Sequence, residues 1–157
     1  MKQIPLTQGK FTLVDDIDFE WLNQWKWYAI KDRNTFYAVR MERSENKRKV
    51  IWMHREILGV LAGFETDHKN HNGLDNQRIN LRSCTRAENQ HNRFMQKNNI
   101  SGFKGVSWSN RAKKWWAQIK FNRRVIHLGF FISKLEAAKA YDNAAKKYFG
   151  EFVFSEK

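Results

Sequence analysis

The sequence predicts an α+β protein: a β-rich amino-terminal region, a small strand-strand-helix unit in the middle, and a carboxy-terminal three-stranded antiparallel sheet packed on one helix. Three observations carry that reading. Short runs rich in aromatic and β-branched residues recur through the first 53 residues between polar turns. In WWAQIKF at 115–121 apolar and polar side chains alternate, as a half-buried strand requires. Ala137, Ala138, Tyr141, Ala144, Ala145 and Tyr148 recur at helical spacing and form a small-residue face able to lie close on a sheet.

In chain order, residues 10–14, 26–29, 36–40 and 50–53 read as strands. Between the first two, Asp18 precedes Phe19, Trp21, Leu22 and Trp25, which fits a short amphipathic helix capped by that Asp. Trp21, Trp25 and Trp27 are expected in the core, since a small domain needs large side chains to stabilise it. Residues 54–58 suit one or two helical turns ending at Gly59, followed by a brief strand into Thr66, Asp67 and His68. The Asn, Gly and Asp cluster at 70–76 suits a loop, and 81–83 can return as the paired strand. Thr85 and Glu88 then form a capping-box pattern, opening a helix on which Asn89 and Arg93 share a face. FMQKNNISG reads as a flexible linker. Beyond it, residues 104–107, 115–121 and 124–130 read as strands. A second capping-box pattern, Ser133 with Glu136, opens a helix through Phe149 that Gly150 can close. The expected divisions are 1–53, 54–93, a linker at 94–101, and 102–157.

Lys and Arg number 29 against 16 Asp and Glu in 157 residues, a formal charge of +13. Such an excess favours a polyanionic partner, nucleic acid first. It is uneven, because residues 101–157 carry 12 Lys or Arg against Glu136, Asp142, Glu151 and Glu156. No apolar run approaches the roughly 20 residues of a membrane span and no signal peptide opens the chain, so an intracellular, cytoplasmic protein is expected, acting without a membrane. Cys84 is the single cysteine, which leaves no internal disulfide and no cysteine-rich zinc site. It reads as a small buried residue, and no structural zinc is expected. His54 is expected to pack, and His71 and His91 to lie on the surface.

The segment DHKNHNGLDNQRINLRSCTRAENQHNR at 67–93, with MHREILG at 53–59 before it, resembles the HNH nuclease motif of phage and mobile-intron homing endonucleases. The resemblance implies a ββα-metal core of the His-Me finger type. It makes Asp67 and Asn89 metal ligands, His68 the general base, and Asn80 the residue that holds the hairpin loop. The chemistry suits those roles. A hard cation, Mg²⁺ first and Mn²⁺ second, prefers carboxylate, carboxamide and water oxygens. An imidazole can take a proton from water at neutral pH, where Lys and Arg cannot. Arg93, one turn past Asn89, is placed to grip a phosphate.

GFKGVSW at 102–108, KWWAQIKF at 114–121, HLGFF at 127–131 and EAAKAYDNAAKKYFGEF at 136–152 resemble the plant ethylene-response-factor, or Apetala-type, DNA-binding domain. That family reads the major groove with a three-stranded sheet. By alternation, Trp115, Ala117, Ile119 and Phe121 should face the helix, leaving Trp116, Gln118 and Lys120 outward with His127 on the next strand. Arg111, Lys113, Lys114, Arg123 and Arg124 crowd the turns and strand ends as phosphate contacts, and Trp108, Trp116 and His127 add flat surfaces. Ser107 and Ser109 stand where the plant domain has arginines, so its base preference does not transfer. The expectation is a metal-dependent, site-specific endonuclease acting on double-stranded DNA in a bacterial or phage-infected cell. A non-catalytic DNA-binding regulator is the alternative, and a binder or nuclease of single strands or RNA a third reading.

Overall fold

An antiparallel hairpin of β1 (Lys2–Pro5) and β2 (Phe11–Val14) lays down the first core positions, with Thr12 opposite Ile4 and both buried. Local patterning does not announce β1, four residues ending in a proline at a sheet edge. The computed structural model describes residues 1–32, 34–44, 47–95 and 98–153, and the chain divides into two compact units, Met1–Asn89 and Gln90–Lys157.

In the first unit α1 (Asp16–Leu22) follows, entered through Asp15 in an extended conformation. The expected cap, Asp18, lies inside the helix and is 1% exposed. A fully buried carboxylate must be paired, and Arg78 grips it at 2.7 Å through both Nε and Nη2. Trp27 is buried and donates its indole N–H to Leu22 O at 2.8 Å. Trp21 is partly buried against the core. Trp25, expected in the core, lies past the end of α1, half-exposed beneath the Arg40 guanidinium at 4.5 Å.

β3 (Tyr28–Asp32), β4 (Thr35–Ser44) and β5 (Lys47–Trp52) form an antiparallel sheet in the order β3-β4-β5. β4 and β5 run well past the apolar segments that announced them, because Met41 to Ser44 pair with Val50 to Lys47 although most are polar. α2 (Met53–Leu58) ends as expected at Gly59, whose left-handed conformation (φ 58°) suits a residue without Cβ. β6 (Glu65–His68) and β7 (Leu81–Cys84) then form a two-stranded antiparallel hairpin, and α3 (Arg86–His91) completes a ββα order. The Thr85 capping box is present: Thr85 N donates to Glu88 Oε2 at 2.8 Å and Glu88 N to Thr85 Oγ1 at 3.3 Å. One core of Ile4, Leu6, Val14, Leu22, Trp27, Ala29, Ala38, Met53, Ile57 and Leu81 joins β1, β2, α1, β3, β4, α2 and β7. The expected division at residue 53 therefore runs through a single hydrophobic core.

In the second unit β8 (Val106–Ser109), β9 (Lys114–Phe121) and β10 (Arg124–Phe131) form an antiparallel sheet in the order β10-β9-β8. α4 (Lys134–Phe149) packs on it, and a 3₁₀ turn over Gly150–Phe152 follows. β8 starts later than the expected residue 104. Gly105 has φ +65°, outside strand geometry, and a Cβ there would stand 2.1 Å from the Tyr141 ring and 2.5 Å from Gln118 O. α4 is capped by Ser133 Oγ, which accepts from Leu135 N at 3.2 Å and not from the Glu136 amide of the expected capping box. Ala137, Ala138, Ala144 and Ala145 are buried against Val106, Ala117 and Ile119, so the small-residue face and the inward alternation hold. Of the expected linker, Gln96 and Lys97 lie outside the described residues. Its end is part of the second unit: Ser101 is buried and donates to Asn99 Oδ1 at 2.7 Å, while Asn99 Nδ2 donates to Phe103 O at 2.8 Å. Residues 154–157 of the expected last domain also lie outside the described residues. The whole is an α+β fold with four small antiparallel sheets and four α-helices among the described residues.

Candidate active site and nucleic-acid face

His68 ends β6 with its ring buried. Its Nε2 lies 3.2 Å from Asn76 Oδ1; Asn76 Nδ2 donates to Thr12 Oγ1 at 2.7 Å; Thr12 Oγ1 donates to Leu74 O at 2.8 Å. The last acceptor sets the direction of the chain. A backbone carbonyl can only accept, so the Thr12 hydroxyl gives its proton there and accepts from the Asn76 amide. The Asn76 oxygen then accepts from His68, which puts the imidazole proton on Nε2 and the basic lone pair on Nδ1. Burial lowers the His68 pKa, with the Asn76 bond and nearby Asp67 and Asp75 opposing it.

Around this ring stand Tyr37 and His54, with centroids at 5.7 and 5.1 Å. His54 packs as expected, against Tyr37 and Trp52 as well. Its Nδ1 is buried without a hydrogen-bond partner, and burial, then the neighbouring His68, push its pKa down to about 3.

The loop at 70–76 is held from both ends. Asn80 Oδ1 accepts from Asn70 N at 3.0 Å and its Nδ2 donates to Asp75 O at 2.7 Å. β2 supports the same loop from its other side, through Leu13 N to Leu74 O and Asn76 N to Leu13 O, both 2.8 Å. Asp15 accepts from Arg78 N at 2.7 Å. Thr12, Asp15 and Asp18 thus build the loop that fixes His68, although nothing local in the sequence pairs them with it.

Asp67 is buried on the opposite face of β6, directly across from Arg82, whose Nε donates to Oδ2 at 2.8 Å. Glu65 shares the Asp67 face by strand alternation, and Asn89 Nδ2 donates to Glu65 Oε2 at 2.7 Å. Among the described residues no group of three or more His, Cys, Asp or Glu is arranged to hold a metal ion. The donor chemistry on this face, two carboxylates and a carboxamide oxygen, nevertheless fits a hard cation that keeps water and phosphate in its shell. Asp67 and Asn89 could hold it with Glu65 beside them, Arg82 sharing Asp67. Cys84 is buried as expected; burial, then the carboxylates of Asp67, Glu65 and Glu88, push its thiol up to about 12, which rules it out as a nucleophile near neutral pH. Arg93 does not share a helical face with Asn89, because α3 stops at His91 and Arg93 follows it, exposed, in the second unit. His71 is partly buried in the loop with φ 62°, and its N donates to His68 O at 3.0 Å. His91, expected on the surface, stacks on Phe149 at 3.8 Å.

On the second unit, the outer face of the sheet carries Lys114, Trp116, Gln118 and Lys120 from β9, with His127 opposite Gln118. Phe130, not foreseen, pairs with Trp116 and is 5.0 Å from the His127 ring. Register puts two expected contacts on the other face. Trp108 pairs with inward Trp115 and meets it edge-on at 5.2 Å, and Arg124 pairs with Phe121. Arg111 and Lys113 lie in the β8–β9 turn and Arg123 in the β9–β10 turn, all exposed. None of these cations has a carboxylate partner among the described residues.

The fold and these sites describe an α+β chain whose first unit buries a polar histidine centre and whose second exposes a basic, aromatic sheet face. Its sequence is similar to Protein 3.8 of Escherichia phage T7, 40% identical over 56 residues, which are 36% of this chain and 46% of that protein. The chain thus matches about half the length of that curated relative. No family model and no solved structure matches. No helix among the described residues is long and apolar enough to cross a membrane.

Proposed function

We propose that this protein is a metal-dependent DNA endonuclease of the HNH type, with the sheet of the second unit as an ethylene-response-factor-type reader of double-stranded DNA. The observation that carries the reading is the Leu74–Thr12–Asn76–His68 hydrogen-bond chain, which holds a neutral imidazole with its basic nitrogen defined. A general base needs that arrangement: a positioned ring whose lone pair faces one way while its other nitrogen is anchored. The ββα order and the Asn80 tie across the loop support the same assignment, and similarity to a phage protein is consistent with it.

In this mechanism His68 Nδ1 takes the proton of the attacking water while Asn76 accepts from Nε2–H throughout, so the imidazolium formed stays hydrogen-bonded. Asp67 and Asn89 would hold one divalent cation, Mg²⁺ or Mn²⁺. Bound there, such an ion supplies Lewis-acid polarisation of a phosphate oxygen and neutralises charge on the leaving oxygen. Hydrolysis by this route leaves 5′-phosphate and 3′-hydroxyl ends. The exposed cations Arg111, Lys113, Lys114, Lys120 and Arg123 hold the backbone of the duplex.

The bond of Arg82 to Asp67 favours a second reading, a DNA-binding regulator without catalysis. Nicking of supercoiled plasmid by wild type and His68→Ala, with Mg²⁺, Mn²⁺ or EDTA, separates the two. Metal-dependent nicking that His68→Ala lowers by at least about 10²-fold is expected. Equal activity in the variant would remove His68 as base. Salt-sensitive duplex binding with no nicking under any metal would establish the regulator.

A further inference from the structure

The β4–β5 hairpin extends beyond the apolar core and carries a charge arrangement that folding does not explain. Arg43 and Arg48 are register partners, directly opposite each other, both exposed, and neither has a carboxylate partner among the described residues. Like charges in that position oppose strand pairing. By alternation Tyr37, Val39, Met41 and Arg43 share one face of β4, and their partners Trp52, Val50 and Arg48 share it on β5. At the inner end of this face Tyr37 and Trp52 pack on His54, and Tyr37 also on His68. At its outer end stand the two arginines, with Met41 and Val50, both exposed, between. From Tyr37 to Arg43 the strand covers about 20 Å, the axial length of about six base pairs.

We infer that this face of the β4–β5 hairpin is a second DNA-binding element: Arg43 and Arg48 clamp backbone phosphates of the duplex whose scissile bond lies at His68. A phosphate between the two guanidiniums offsets their repulsion and explains why the pair is arranged face to face. Arg suits this role through its planar fork, which meets two phosphate oxygens together. The apolar pair Met41 and Val50 occupies the intervening surface, which carries no carboxylate among the described residues of this face, and can lie along the sugars. The inference rests on the endonuclease reading and adds a contact in the first unit, separate from the sheet of the second.

The test uses the full chain, with Arg43→Ala/Arg48→Ala compared against Lys139→Ala/Lys146→Ala on the exposed side of α4, which removes the same charge elsewhere. Affinity for a short random-sequence duplex is measured as a function of salt. The hairpin variant should lower the slope of log K against log salt by about 2, one unit for each lost phosphate contact, and the control by less than about 1. Plasmid nicking at physiological salt should fall with it and recover at low salt. The hairpin variant should melt at or above the wild-type temperature, since a repulsive pair is removed. An unchanged slope in the hairpin variant, or an equal drop in both, overturns the clamp while leaving the endonuclease reading intact. Preference of the wild type for single strands or RNA over duplex overturns the assigned partner. A wild type that neither binds duplex nor nicks plasmid overturns both readings together.

Discussion

The two units handle charge in opposite ways. In the first, key polar groups are withdrawn from water and matched: Asp18 with Arg78, Asp67 with Arg82, Arg40 with Glu56, and His68 with Asn76 and Thr12. In the second, an alanine face seals a small apolar core and the cations of the sheet and its turns, Arg111, Lys113, Lys114, Lys120, Arg123 and Arg124, stand in solvent. A buried, fully bonded group keeps one geometry, which proton transfer needs; a solvated cation moves freely and gains by exchanging counterions for phosphates. On the proposed reading, the contrast would suit the first unit to chemistry and the second to reversible, salt-dependent binding.

The sharpest way to break this comparison is at a buried pair. Arg78→Met leaves the Asp18 carboxylate buried with the Trp21 indole alone at 3.2 Å. Loss of about 3–5 kcal/mol is expected in the first unit, read from its denaturant midpoint, while protection of amides in the second unit stays unchanged. A loss under 1 kcal/mol would mean that burial does not hold this charge.

Acid should distinguish the units next. His54 has its folded pKa pushed down to about 3 from an ordinary 6.5, so the unfolded chain binds the proton more readily. Stability from this group is full above pH 6.5 and falls as the pH drops toward 3. Between pH 7 and pH 5 the loss is about 2 kcal/mol, and His68, shifted the same way, adds to it. His54→Leu should flatten this part of the stability curve. An unchanged pH slope would show that the ring is hydrated in solution.

A smaller effect should follow from the Thr12 relay. Thr12→Val breaks the chain at its centre and should lower nicking by about tenfold, with duplex affinity unchanged, while Thr12→Ser, which keeps the hydroxyl, restores it. A ¹⁵N spectrum should show a pyrrole-type Nε2 and a pyridine-type Nδ1 at His68 in wild type and Thr12→Ser. Loss of folding without a specific rate effect would reduce Thr12 to a structural role. Smallest of all, Lys120→Ala should weaken duplex binding by less than about 1 kcal/mol and lower the salt slope by about 1; a loss confined to certain sequences would place it on a base edge.

Much of the second unit was legible because its signals are local. Alternation along Trp115 to Phe121 and the helical spacing of four alanines are properties of contiguous residues, and each names its buried face. Where local reading failed there, the cause was a backbone or register fact: Gly105 delays β8, and pairing then turns Trp108 and Arg124 to the side opposite Trp116. In the first unit the capping box and the Gly59 stop lie within a few residues of their partners and were equally readable, whereas Asn80 as the loop tie came from the motif resemblance and reaches Asn70 ten positions away.

The sequence by itself determined most of the element types, β1 excepted, the basic excess, the inward face of β9, and the set of oxygen and imidazole side chains between Asp67 and Asn89. Only the tertiary structure decided what those side chains touch. Asn76 reaches Thr12 across 64 positions and Asp18 reaches Arg78 across 60, while Arg43 meets Arg48 only through a strand register that apolar patterning does not announce. The physical reason is that patterning records whether a side chain is buried, whereas the direction of a hydrogen bond, the tautomer of a histidine and the partner of a charge depend on which distant segments the core brings together.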